Sequence, residues 1–453
     1  MGWDSTFAAR VASRDLTIGI IGLGYVGLPT ALGFHDAGFR VRGADVSQRT
    51  ISMLEKGQNP GDDPQHDDVI PQQQDGRWKI TTDTSVAVPE CDVVIVTVPT
   101  PVTSDQRPDL SMVEAAGAAI FDSILPEKRT IVVLESTVYP GVTREIWGRL
   151  LEERGLNEGS DVDLAYCPER FVPGDPEHGV RQVPRVIGAT DSEVGGDLVE
   201  LYRTLTSGDV QFVGQIEVAE AAKVVENVQR DLNIALVNEL ARIFPQLGLD
   251  VEDVLNAAAT KWNFHRYSPG IGVGGHCIPV DPYYLIQKAS EAGAPAELIT
   301  AARAVNHSMP YNVAADIVKI LAVSGIQPSD AKIMLLGWAY KPGVGDVRGT
   351  PAEPLAQSLK TAGMDVVTYD PYIENWGELG SLAQPIASPY DCKDVDMIIL
   401  VTAHPDFLTL DWSKMKGIVR QPVIYDGRRV LDNLGLEADG WTLFRLGAPI
   451  LEK

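Results

Sequence analysis

Short apolar runs alternate with longer amphipathic stretches along most of this 453-residue chain. Residues 18–21, 93–98 and 131–134 are rich in β-branched residues and, with 41–45, are bounded by Gly, Pro or polar turns, so all four read as strands. Strands separated by helical stretches imply a parallel sheet with crossover helices. This pattern extends from Thr17 to about Gly214. From about Ile216 to Ala322 the chain turns mostly helical. Residues 218–244 lack both Pro and Gly and are followed by Pro245, so they read as one long helix. The glycine-rich segment 269–275 interrupts this part and cannot be regular structure. Strand–turn–helix alternation returns from about Pro328 to Lys453.

The third part echoes the first. Ala37-Gly38 is followed by Val41 and Asp45, and Ala362-Gly363 by Val366 and Asp370 at the same offsets. Each set follows a strand-like run ending in Gly (Gly22 and Gly337) and then a helix. The natural architecture is α/β: two Rossmann-like, doubly wound parallel-sheet domains joined by a long central helix and a helical connector.

Composition narrows the function. The formal net charge of −24 repels phosphate backbones and anionic lipids, which argues against a nucleic-acid or membrane-surface role. Any anionic ligand then needs a local cationic pocket. Four cysteines at 91, 167, 277 and 392 show no C-x-x-C pair and no metal-like spacing. That fits a reducing cytoplasm and predicts neither a disulfide scaffold nor a metal site. No apolar run approaches the roughly 18 residues of a membrane span. The early apolar stretch 16–28 contains Gly19, Gly22, Gly24 and Gly27 and reads as strand and turn, not as a leader.

Gly22-Leu23-Gly24-Tyr25-Val26-Gly27 is a G-x-G-x-x-G run directly after a strand and opening a helix. The first glycine permits the turn, the second admits a pyrophosphate, and the third lets helix and strand pack closely. Asp45 ends the next strand, where a carboxylate accepts from both ribose hydroxyls and repels a 2′-phosphate; the expected cofactor is NAD. Arg49 either lies over the adenine or is a solvated helix arginine.

The densest chemistry lies at 270–281, where Gly270, Gly272, Gly274 and Gly275 precede His276, Cys277 and Asp281. Four glycines in six residues open the backbone to a bulky ligand. A cysteine ending such a loop is poorly placed as core filler, whereas Cys91, Cys167 and Cys392 fit that role. Asp281 returns to the same side as Cys277 if a helix starts there; His276 reads as a structural neighbour. On the long helix, Lys223 and Asn227 are four apart and share a face, as donors aimed at an oxyanion would.

With these motifs in place, the chain resembles the UDP-glucose/GDP-mannose dehydrogenase family over roughly Thr17 to Gly447. The resemblance rests on GLGYVG at 22–27, TVPTP at 97–101, ESTVYPG at 135–141 and CPERFVPG at 167–174, in that order. It continues with KVVENVQRDLNIALVNEL at 223–240, GVGGHCIPVDP at 272–282 and LGWAYKPGVGDVRGTP at 336–351. It implies an NAD-binding domain at 1–214, a central helical domain with the cysteine loop and a dimer interface at 215–322, and a UDP-sugar domain at 323–453. It further implies a cytoplasmic homodimer or higher oligomer that oxidises the C6 alcohol of a UDP-sugar to the uronate, with two NAD reduced per sugar.

Alcohol-to-acid oxidation passes through an aldehyde that must be held, and a thiolate holds it as a thiohemiacetal and then a thioester. By resemblance Cys277 is that nucleophile, its pKa lowered from about 8.5 by Lys223 or loop amides. Lys223 and Asn227 stabilise oxyanions, Asp281 assists proton transfer with Thr137 and a water, and Glu169 is the base for hydrolysis. NAD contacts are implied for Gly22, Gly24, Tyr25, Val26, Gly27, Asp45, Arg49, Pro99, Thr100, Thr137 and Arg348. Sugar-nucleotide contacts are implied for Glu169, Arg170, Phe171, Lys223, Asn227, Tyr267, Gly270, Gly274 and Lys341, and for Arg303, which enters the neighbouring subunit's site. Pro173 replaces a second Glu of UDP-glucose enzymes and Val280 a Lys, so a UDP-N-acetylhexosamine is favoured over UDP-glucose. An acidic, Pro- and Gln-rich loop at 57–76 replaces the family's usual helix.

Two other readings remain open on sequence. A two-electron hydroxyacid-type dehydrogenase also joins a Rossmann domain to a Lys and an Asn on one helix, but it has no need of Cys277 or the glycine cradle. An inactive NAD-binding scaffold is the other, and the intact catalytic positions argue against it.

Overall fold

The computed structural model describes residues 6–61, 69–71, 76–103, 105–172, 175 and 177–450. Pro173, Gly174 and much of the acidic loop (62–68 and 72–75) lie outside the described residues. The chain forms two compact units: Met1–Glu226 with Tyr283–Ala294, and Asn227–Pro282 with Pro295–Lys453.

The first unit is built on an eight-stranded sheet. Its strands are β1 (Thr17–Ile21), β2 (Arg40–Ala44), β3 (Trp78–Thr81), β4 (Val93–Val96), β5 (Thr130–Leu134), β6 (Val162–Tyr166), β7 (Arg185–Ala189) and β8 (Val210–Gly214). They lie in the order β3-β2-β1-β4-β5-β6-β7-β8. All neighbours pair in parallel except β6 and β7, which run antiparallel. The central strands are buried along their whole length because helices cover both faces. Successive residues therefore feed two separate cores. Ile18, Ile20, Val93, Ile95, Ile131 and Val133 enter one, while Ile21, Val94, Val96, Val132 and Leu134 enter the other. Cutting any of these back to alanine leaves a cavity worth about 2–5 kcal/mol.

The second unit repeats the device with β9 (Lys332–Leu336), β10 (Asp365–Tyr369), β11 (Gln384–Pro385), β12 (Met397–Leu400), β13 (Val423–Asp426) and β14 (Thr442–Arg445). Their order is β11-β10-β9-β12-β13-β14, all parallel. Ile333, Leu335 and Ile399 face one core; Met334, Leu336 and Ile398 face the other. The expected pair of doubly wound sheets is what the chain forms.

The expected long helix spans Ile216–Gln246, and Pro245 is absorbed in its last turn. The division between the units falls within it, after Glu226. Segment 269–275 is neither helix nor strand, and the next helix begins at Asp281. Among the described residues no helix is long and apolar enough to cross a membrane.

Candidate active site

In the first unit the turn after β1 gives its three glycines three different tasks. Gly22 has φ +91°, a conformation open to few other residues. A Cβ on Gly27 would lie 1.8 Å from the Gly22 carbonyl, so no side chain fits there. Above Gly24 there is open space, with nothing within 4 Å of where a Cβ would stand. The helix Gly27–Asp36 starts beside this space and its first amides point out of the N-terminus. Asp45 is half-buried; its Oδ2 accepts from Leu23 N at 2.7 Å and its Oδ1 from Ser47 N at 2.8 Å. An open glycine beside a helix N-terminus and a braced, solvent-reachable carboxylate fit a dinucleotide without a 2′-phosphate. Tyr25 and Arg49 are exposed and Val26 is half-buried around the same turn. Pro99 is exposed beyond β4, and the Thr100 carbonyl accepts from Tyr284 Oη at 2.8 Å. Thr137 is half-buried just beyond β5.

Glu169 lies beyond β6 and is 7 % exposed. Lys223, also 7 % exposed, donates from Nζ to the Glu169 carbonyl at 2.5 Å and lies 3.5 Å from its Oε2. The other carboxylate oxygen, Oε1, has no hydrogen-bond partner among the described residues. The structure thus joins two of the expected catalytic residues and leaves an acceptor open on one of them. Phe171 is buried, with its ring 6.4 Å from that of Tyr25, and Arg170 pairs with Glu226. Cys167, two residues before Glu169, is held protonated: burial pushes its thiol up to about 12. Burial does the same to Cys91. Cys91, Cys167 and Cys392 are all buried, as core cysteines should be, whereas Cys277 is half-buried.

In the second unit the glycine segment packs tightly. A Cβ on Gly274 would come within 2.8 Å of the Gly349 carbonyl, and one on Gly275 within 2.9 Å of the Tyr340 ring. Gly275 N donates to the Arg348 carbonyl at 3.0 Å, which ties the cradle to the loop carrying Lys341 and Arg348. The Cys277 carbonyl accepts from Val280 N and Asp281 N, so Cys277 sits one turn ahead of the helix Asp281–Glu291. A helix N-terminus favours an anion, and a thiolate is one. Asp281, 2 % exposed, accepts from Asn227 Nδ2. The helix start required to bring Asp281 back towards Cys277 is therefore present.

Lys341 is half-buried, and the Arg348 side chain bonds Asp346. Tyr267 packs against Val237, Ala241, Val251 and Leu255. Arg303 is 5 % exposed and donates to Asp231 Oδ1 at 2.6 Å within its own chain. One cation had no signal in the sequence. Arg428 lies against the cradle, its Nη1 2.6 Å from where a Cβ of Gly270 would be. Burial lowers its pKa to about 10, although Asp426 pulls the other way. No carboxylate pairs with it at ion-pair distance among the described residues, so it suits an incoming anion.

Comparison with known proteins agrees with this geometry. The NAD-binding, central and UDP-binding domains of the UDP-glucose/GDP-mannose dehydrogenase family match residues 16–206, 217–308 and 334–433. A UDP-N-acetyl-D-glucosamine 6-dehydrogenase of Pseudomonas aeruginosa is 37 % identical over 92 % of this chain and 98 % of its own length. A UDP-N-acetyl-D-mannosamine dehydrogenase of Pyrococcus horikoshii is 35 % identical over 92 % and 96 %. A solved UDP-D-ManNAc dehydrogenase structure from Pyrococcus horikoshii superposes with a TM-score of 0.86 at 32 % identity, covering 96 % of this chain and all of that one. Matched across all three domains in order, the chain is an NAD-dependent oxidoreductase and belongs to the UDP-glucose/GDP-mannose dehydrogenase family.

Proposed function

We propose that this enzyme oxidises the C6 alcohol of a UDP-N-acetylhexosamine to the carboxylate, with Cys277 holding the intermediate. The observation that carries the proposal is the contrast among the cysteines: three are buried, and the one ending the glycine cradle is not. NAD, which the Gly22–Gly27 turn and Asp45 would hold, would accept one hydride in each of the two oxidation steps, a fresh molecule for each. Lys223 and Asn227 donate to the sugar oxygen as it becomes anionic. Asp281, with Thr137 and a water, takes the alcohol proton. The Cys277 thiolate adds to the aldehyde carbon, and the thiohemiacetal is oxidised to a thioester. Glu169 then removes a proton from water, which attacks the thioester carbon and expels the thiolate. Lys341 and Arg428 supply positive charge for the diphosphate, and Arg348 serves the cofactor. The N-acetylhexosamine assignment follows the relatives' substrates and the Pro173 and Val280 departures; UDP-glucose is the alternative.

A homodimer fits the long helix. Val218, Val225, Leu236 and Ile243 are 44–54 % exposed in the single chain. Spacings of 7, 11 and 7 residues keep them within about 20° of one line along the helix. A second copy is the natural cover, and light scattering of Leu236→Lys against wild type tests it: unchanged mass would remove this stripe from any interface.

The reaction itself is tested by NADH released per mole of limiting UDP-N-acetylmannosamine, UDP-N-acetylglucosamine or UDP-glucose. About two per sugar, abolished in Cys277→Ala, is expected from the covalent route. A ratio of about one, or full turnover without the thiol, would favour the hydroxyacid-type reaction instead.

A further inference from the structure

A buried polar chain links the two long helices to the glycine cradle. Arg303 Nη1 donates to Asp231 Oδ1 at 2.6 Å. Asn306 Nδ2 donates to the same oxygen at 2.8 Å and to the Asp231 carbonyl at 3.0 Å. Asn238 Nδ2 donates to Asn306 Oδ1 at 2.8 Å, and Asn238 Oδ1 accepts from Gly270 N at 2.9 Å. Asp231, Asn238, Arg303 and Asn306 are all at most 5 % exposed. The first two lie on Ile216–Gln246 and the others on Glu297–Val323.

The polarity of this chain is forced from both ends. A guanidinium and a backbone N–H only donate, and a carboxylate only accepts. Asn238 must therefore turn its oxygen to Gly270, its amide must face the oxygen of Asn306, and the Asn306 amide must face Asp231. Neither amide can flip without setting two like groups against each other. Buried ion pairs are often no more stabilising than well-packed apolar residues of similar volume, so the directionality of these groups is the feature to explain. It is explained by what stands at the end. A segment with glycines at 270, 272, 274 and 275 has little conformational preference of its own and takes its shape from its anchors. Those anchors are Asn238 at Gly270, the Arg348 carbonyl at Gly275, and the helix start that holds the Cys277 carbonyl.

We propose that Arg303, Asp231, Asn306 and Asn238 are a relay of positioning residues that sets the glycine cradle, and through it Cys277 and nucleotide-sugar binding. On this reading Arg303 has a positioning role within its own subunit. The inference rests on the cradle being the sugar site.

Asn306→Asp tests it by setting a second carboxylate against Asp231. The paired change Asp231→Asn/Asn306→Asp moves the carboxylate one place along: an amide turned with its oxygen to Arg303 and its nitrogen to residue 306 restores a donor at each side-chain contact, and only the residue-231 carbonyl loses its donor. Three quantities are read: the rate of Cys277 alkylation by iodoacetamide, followed on its peptide by mass spectrometry; the KM for the UDP-sugar; and the Kd for NAD. Asn306→Asp is expected to change the alkylation rate and raise KM by about tenfold or more, with NAD binding kept, and the pair to return both to within about threefold. A folded Asn306→Asp protein with wild-type alkylation and KM would overturn the relay. So would a pair that regains thermal stability but not thiol reactivity. If the single variant does not fold, Asn238→Ala removes the acceptor at Gly270 without adding charge; the same shift is expected, and a wild-type rate refutes it. Alkylation needs no turnover, so the relay is tested even if no UDP-sugar proves to be a substrate.

Discussion

The turn after β1 and the turn after β9 share a skeleton and differ in what fills it. Gly22 and Gly337 both have φ +91°, and each donates to the last carbonyl of the neighbouring strand, Ala44 at 2.8 Å and Tyr369 at 2.9 Å. Asp45 and Asp370 each accept from the amide that follows the glycine, at 2.7 Å in both. There the likeness stops. Asp370 is 4 % exposed, and its Oδ2 also accepts from Ala339 N at 2.9 Å and from His404 Nε2 at 3.0 Å. Where the first turn has the open Gly24, the second has Ala339, wholly buried; where the first has Gly27, the second has Pro342. The second carboxylate is spent on the protein's own groups. Dinucleotide binding in such a fold depends on what the turn leaves empty as much as on the residues it carries.

Gly27→Ala should do the most damage to this contrast, because its Cβ meets the Gly22 carbonyl. A loss of about 1–3 kcal/mol in stability is expected together with loss of NAD binding, seen in thermal melts and NAD titration. Gly24→Ala, only three residues away, should leave the melting temperature alone and weaken NAD about tenfold, since only the pyrophosphate approaches there; an unchanged Kd would mean that the open space is not the phosphate site. The two aspartates should separate in the opposite sense. Asp370→Asn should cost about 1–3 kcal/mol of stability and spare NAD affinity. Asp45→Asn should spare stability, weaken NAD and narrow its advantage over NADP.

The smallest effect is one of pH. Burial pushes the Asp370 carboxyl up, but hydrogen bonds from His404, Ala339 N and Trp338 N outweigh it, and the net shift is downwards from 3.8. A group with a depressed folded pKa contributes fully above its unfolded value and loses that contribution as pH falls through the folded one. The gap in urea midpoint between wild type and Asp370→Asn should hold from neutral pH to about pH 5 and close below about pH 4.

Much of this was legible because it rests on local rules. The strand runs, the glycine turn, Asp45, the helix starting at Asp281 and the repeat at Asp370 all follow from spacing within some tens of residues. Asn238 and Asn306 were not legible: two amides 68 positions apart on separate helices carry no periodic signal, and only packing brings them together. Arg428 was missed for the same reason, since its neighbour Gly270 is remote in sequence. The antiparallel β7 was missed because a largely buried strand reads alike in either direction.

Arg428 also bears on how substrate arrives. A UDP-sugar approaching a chain of net charge −24 meets repulsion well before it can sense one sheltered guanidinium. Salt shortens the reach of that repulsion to about 8 Å at physiological strength while barely touching an interaction made in contact. Capture should then quicken as ionic strength rises, the reverse of attractive steering, so that the enzyme is best supplied in a salty medium.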